Sequence, residues 1–127
     1  MKEDLAVFLE SPTRVSLRDF LRNHSGETAA ADFKREWPAD GQLAKHILAM
    51  ANSGGGCIFA GVEEDQTAFA TPVGLTVLRD KADIDKAMRT FLPEPLASTF
   101  IVNDFSYPEC EYAKLKGLSF QTVNVPV

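Results

Sequence analysis

Only two of the 127 residues are cysteine, Cys57 and Cys110, and they stand far apart in the chain. A disulfide framework is therefore excluded, and no CxxC pair suggests a metal. His24 and His46 have no Cys or His at ligand spacing, which argues against zinc. Cys57 lies in an apolar run, where a free thiol packs as a small hydrophobe. No stretch approaches the roughly 18 apolar residues of a membrane span. Met1-Lys2-Glu3-Asp4 is too charged to open a signal peptide. The expected compartment is the cytoplasm, with no membrane partner. Positive charge is scarce too: 13 Lys and Arg stand against 18 Asp and Glu, a net charge of −5. That balance argues against a protein that coats nucleic acid non-specifically, because such binding draws on counterion release by a basic face. There is no Gly-x-Ser-x-Gly elbow, no Gly-Lys-Ser/Thr after the glycines, no internal repeat and no low-complexity linker.

What is there fits one domain. The apolar fraction of 45% and charged fraction of 24% are ordinary for a globular chain long enough to bury a core. Leu5, Phe8 and Leu9 predict a short helix from Glu3 to Glu10, stopped near Ser11-Pro12. Leu17, Phe20 and Leu21 predict a second from Ser16, with Ser16 and Asp19 as a capping box and Ser25-Gly26 as its end. Ala29 to Trp37 reads as a strand closed by Pro38. Phe33 and Trp37 then share one face, and Asp32, Lys34 and Glu36 the other. Asp40 can cap a helix over Gly41 to Asn52, whose stripe is Leu43, Ala44, Ile47, Leu48 and Ala51. Gly54-Gly55-Gly56 stops it. Cys57 to Val62 is then a central strand covered on both faces and ended by Glu63-Glu64-Asp65.

After a loop with Pro72 and Gly74, a helix is expected from Lys81 to Leu92. Asp80 or Asp83 caps it, and Ile84, Met88, Phe91 and Leu92 face inward. Phe100 to Phe105 and Leu118 to Val125 complete the pattern as two strands. The order predicts an α+β fold: a four-stranded sheet with helices on one side, strand-helix-strand-helix-strand-strand, preceded by two short helices. The chain ends with its last strand at Val125-Pro126-Val127, as expected for the N-terminal piece of a longer protein.

Three groups of residues carry candidate chemistry. Glu27 and Asp32 flank the start of the first strand, and Glu63 and Glu64 leave the central one. Neighbouring strands can bring such carboxylates together, and two or three carboxylates can hold Mg²⁺ or Mn²⁺ for phosphodiester cleavage. On a straight strand Glu27 and Asp32 point to opposite faces, so convergence requires a bend near Gly26 to Ala29. The commoner reading is that all four are solvated strand-end acids. The Gly54-Gly55-Gly56 run can offer N–H groups to a phosphate. It follows a helix C-terminus, however, where the dipole is negative, so a helix-to-strand turn is favoured. Lys34, Arg35, Lys45, His46, Lys114 and Lys116 form a candidate basic surface, against the alternative of ordinary solvated charges. Trp37 reads as a core residue rather than a base-stacking platform.

Taken together, four segments resemble the Schlafen-type AlbA domain, a DNA-binding, Alba-like family. They are Glu27-Thr28-Ala29-Ala30-Ala31-Asp32-Phe33-Lys34, Ala49-Met50-Ala51-Asn52-Ser53-Gly54-Gly55-Gly56, Ile58-Phe59-Ala60-Gly61-Val62-Glu63-Glu64, and Gly74-Leu75. The resemblance implies an Alba-like domain over residues 27–127 behind an N-terminal helical extension, residues 1–26. It implies DNA or RNA as partner, with Lys34, Arg35 and Lys45 of the candidate basic surface as the expected contacts on one continuous face, and it implies pairing into a homodimer. From the Schlafen branch it also implies an RNA-cleaving site of three acids. These map to Glu27, to Asp32 (one methylene shorter than the usual Glu) and to Glu63 or Glu64, with Glu27, Asp32 and Glu63 as metal ligands. Three functions follow. The first is a nucleic-acid-binding module that needs no cofactor and whose binding weakens steeply with salt. The second is an endoribonuclease dependent on Mg²⁺ or Mn²⁺, and the third a protein-interaction domain of a larger regulatory or defence protein.

Overall fold

The computed structural model describes residues 2–23, 30–64 and 70–126. Along the chain run Lys2–Glu10 (α1), Arg14–Asn23 (α2), Ala31–Lys34 (β1), Asp40–Asn52 (α3), Gly56–Ala60 (β2), Val62–Glu64 (β3), Ala70–Pro72 (β4), Lys81–Phe91 (α4), Ile101–Tyr107 (β5) and Leu118–Val125 (β6). The main sheet has the order β1-β2-β6-β5, so β1 and β5 are its edges. β1 runs parallel to β2, with α3 as the crossover, and the other pairs are antiparallel. This is the expected α+β fold with its four-stranded sheet.

Side chains alternate across a strand, so the sheet has two apolar faces. Phe33, Cys57, Phe59, Phe105, Tyr107 and Phe120 point to one of them, where α1 and α2 bring Leu5, Phe8, Leu17, Phe20 and Leu21. The ring of Phe59 lies at the centre of this cluster. Phe20 stacks on it at 4.8 Å, with Phe8 at 5.5 Å and Phe33 at 5.6 Å. Burying each such ring stabilises the fold by about 1.5–3 kcal/mol, and each ring pair adds about 0.5–1.5 kcal/mol. Ile58, Val123 and Val125 point to the other face, covered by Leu43, Ile47 and Met50 of α3 and Ile84 and Met88 of α4. The two core helices thus share one side, as expected. The N-terminal pair closes the opposite side.

Several boundaries differ from the sequence reading. Thr13, not Ser16, caps α2: Ser16 N donates to Thr13 Oγ1 at 3.0 Å and Thr13 N to Ser16 Oγ at 2.9 Å. β1 ends at Lys34, and Trp37 leaves the strand to pack against the α3/α4 cluster instead of sharing a face with Phe33. Ala39 precedes α3 without a side-chain cap, while Asp40 binds Arg79 at 2.9 Å. Asp80 caps α4 by accepting from Ala82 N at 2.8 Å. Phe91, expected inside, is exposed, because Leu92 takes the buried place at the end of that helix.

The apolar run after the glycines is not one strand. It breaks at Gly61, with φ near +98°, whose carbonyl accepts from Val73 N and Gly74 N. The chain turns there into an antiparallel hairpin, β3 against β4. Gly56 is constrained differently: a Cβ on it would lie 2.5 Å from the Ala30 carbonyl oxygen. Only a residue without a side chain lets β2 start beside that backbone.

A buried amide ties the loop before α4 to the sheet. Gln121 is fully buried on β6. Its Oε1 accepts from Trp37 Nε1 at 2.8 Å and from Arg79 N at 2.9 Å. Its Nε2 donates to Arg79 O and to Asp104 Oδ1, both at 2.8 Å. All four of its hydrogen-bonding positions are thereby used, as a buried amide requires.

Candidate nucleic-acid interface

The charged residues singled out in the sequence meet mainly where the edge strand β1 passes under α3. Asp32 and Lys34 are two apart on β1, level with Ile58 and Ala60 of β2, and so share the face covered by α3. Asp32 Oδ1 lies 3.4 Å from Lys34 Nζ, and Asp32 Oδ2 lies 3.6 Å from His46 Nδ1 on α3. One carboxylate oxygen faces Lys34 and the other His46, and all three side chains are partly buried. Lys45 follows on the exposed surface of α3 and has no carboxylate within ion-pair distance among the described residues. Arg35, one residue past β1, pairs with Glu63 Oε2 of β3 at 2.9 Å, and both side chains are half exposed. Pairs of this kind contribute at most about 1 kcal/mol, so little holds Arg35 on Glu63.

The expected acidic site is distributed as follows. Glu27 lies outside the described residues. Asp32 sits in the Lys34–His46 group, Glu63 is held by Arg35, and Glu64 is exposed in the hairpin. Among the described residues no three His, Cys, Asp or Glu side chains gather closely enough to hold a metal ion. The contact between His46 and Asp32 was not read from the sequence. Its only local sign is the position of His46 on the flank of α3 away from Leu48.

Other candidates resolve into structure. Gly54 N and Gly55 N donate to Ala51 O and Met50 O, so the glycine run closes α3 and those two donors are taken. Lys116 pairs with Glu109 at 3.8 Å within the β5–β6 loop. Trp37 is half-buried, bonded to Gln121, with the Arg79 guanidinium 5.7 Å from its ring centre. Burial pushes the Cys57 thiol well above its ordinary pKa, which keeps it protonated and unreactive. No helix among the described residues is long and apolar enough to cross a membrane.

Fold and surface together define a small α+β domain with a mixed sheet and a cation-bearing seam along one sheet edge. The chain belongs to the Schlafen, AlbA_2 family, whose model matches residues 27–126 and so takes in everything from β1 to β6. The family's general character is that of a nucleic-acid-binding domain. Comparison with curated proteins and with solved structures finds no match.

Proposed function

We propose that this domain binds nucleic acid along the β1–α3 seam, with Lys34, Arg35 and Lys45 meeting phosphates and no metal required. One observation supports the reading: within an acidic chain, Asp32 on β1 lies against both Lys34 of the same strand and His46 of α3, Lys45 neighbours His46 on that helix, and Arg35, one residue past β1, pairs with Glu63. Of the three proposed contacts only Lys45 has no ion-pair partner among the described residues, so the ionic part of the affinity is modest. A phosphate must replace Glu63 at Arg35 and share Lys34 with Asp32.

Asp32 is therefore the residue that tests the reading. As a restraint on Lys34 and a local negative charge, it opposes phosphate binding, so Asp32→Asn tightens binding several-fold. Under the competing reading Asp32, Glu27 and Glu63 or Glu64 hold Mg²⁺ or Mn²⁺ for RNA cleavage, and Asp32→Asn abolishes cleavage. Fluorescence anisotropy with labelled single-stranded DNA and RNA, run beside a cleavage gel with Mn²⁺ or chelator, separates the two. A joint Lys34→Ala and Lys45→Ala change should weaken binding. It should also flatten the salt dependence by roughly 0.7 per lost contact for single strands. No binding by the wild-type domain at low salt would overturn the proposal.

A further inference from the structure

Next to the seam, α3 and α4 leave a groove of about 440 Å³ between them. Its walls include Gly41, Gln42, Lys45 and Leu48 of α3 and Phe91 of α4. Phe91 is 53% exposed and Leu48 41% exposed. Phe91 is the only aromatic side chain among the large exposed hydrophobics of the described residues. Gly41 lies against the Phe91 ring, where a Cβ would make an ordinary van der Waals contact with Cε1 at 3.8 Å. Among the described residues of the lining Lys45 is the only charged one, and none carries a carboxylate.

These features select an occupant. A single cation at the lip of an apolar slot suits a ligand that alternates anionic and flat apolar groups. The slot is also continuous with the proposed phosphate-binding seam, because Lys45 belongs to both. We propose that the groove holds an unpaired nucleobase stacked on Phe91. Lys45 contacts the adjoining phosphate, and the Gln42 amide is within the same slot to meet the base edge. The inference rests on the seam's binding nucleic acid and adds the class: single-stranded, since a duplex keeps its bases stacked inside and offers no free face to the ring. Stacking also supplies what the seam lacks, because most of its cations are already paired.

The test compares a homopyrimidine strand, an abasic strand of equal length and a duplex, each titrated with wild type, Phe91→Ala and Phe91→Tyr by anisotropy. Base–aromatic stacking of about 1–3 kcal/mol converts to roughly 5- to 150-fold in affinity. Phe91→Ala is expected to lose affinity on that scale for the homopyrimidine strand alone, and Phe91→Tyr to retain it. A strand carrying 5-iodouracil should photo-crosslink to the peptide containing Phe91. Phe91 is exposed, so circular dichroism and thermal unfolding should show both variants folded. Equal wild-type affinity for normal and abasic strands, unchanged by Phe91→Ala, would overturn the inference and leave the seam reading standing. No binding to any strand would overturn both. If sedimentation shows self-association that Phe91→Ala abolishes while strand affinity is unmoved, the groove holds a second copy and the inference is wrong.

Discussion

Replacing Gln121 by Ala removes one side chain and disconnects four groups. Trp37 Nε1 and Arg79 N lose their acceptor, and Arg79 O and Asp104 Oδ1 lose their donor. A buried donor left without a partner costs about 1–3 kcal/mol, whereas an acceptor near the surface can turn to water. The Asp104 side chain reaches solvent, so the loss falls mainly on the indole N–H and the Arg79 backbone. We expect Gln121→Ala to destabilise the domain by about 2–4 kcal/mol, including the volume lost at a fully buried site. For a domain of this size each kcal/mol corresponds to roughly 3–5 °C, so the melting temperature should fall by about 10 °C. Trp37 is the only tryptophan, which makes its fluorescence a direct report on this network. Urea unfolding followed by circular dichroism gives the free energies, and a cycle with Trp37→Phe isolates the pair. If the indole–amide bond matters as argued, the two changes together cost about 1 kcal/mol less than their sum. A loss under 0.5 kcal/mol for Gln121→Ala, or strict additivity with Trp37→Phe, would show that the amide does not tie these groups together.

Four further outcomes can be checked. Gly56→Ala, which drives a methyl into the Ala30 carbonyl, should destabilise by about 3–5 kcal/mol, while Gly54→Ala, facing open space, costs only about 1 kcal/mol; denaturant melts decide between them. One thiol, Cys110, should react with a disulfide reagent in the native domain and two in urea, since Cys57 is buried and its thiol held protonated. Because its folded pKa is raised, the Cys57 thiol contributes stability that is complete below its unfolded pKa of about 8.5 and lost as pH rises above it. Cys57→Ala should flatten the fall in stability between about pH 8 and 10. Chelator should leave strand binding unchanged; binding lost on chelation and restored by Mn²⁺ would favour the carboxylate–metal reading instead.

Much of the fold was legible because its signals are local. Leu118 to Val125 is the last strand to the residue, and Asp80 caps α4 as its spacing suggested. The break at Gly61 was not legible, since Cys57 to Val62 is apolar throughout and gives no period to interrupt. What bends the chain there is the pair of bonds from Val73 and Gly74, which are tertiary. Phe91 misled for a related reason: helical spacing cannot say which of two adjacent apolar residues, Phe91 or Leu92, wins the interior at a helix end. At the site, residue types were readable and partners were not. The sequence marked Asp32 and Lys34 as neighbours on one strand face, and the structure pairs them. That His46 would close on Asp32 depends on how α3 lies over β1, which no local pattern encodes.

The match to the family begins at Glu27, yet the sheet behind it is covered on one side by residues that come earlier. Leu5, Phe8, Leu17, Phe20 and Leu21 sit on the rings of Phe33, Phe59, Phe105 and Phe120. A chain started at residue 27 would therefore present a broad aromatic surface to water, the kind of patch that drives self-association. Helices α1 and α2 keep that surface covered. The smallest unit fit for experiment is accordingly the full chain and not the matched segment.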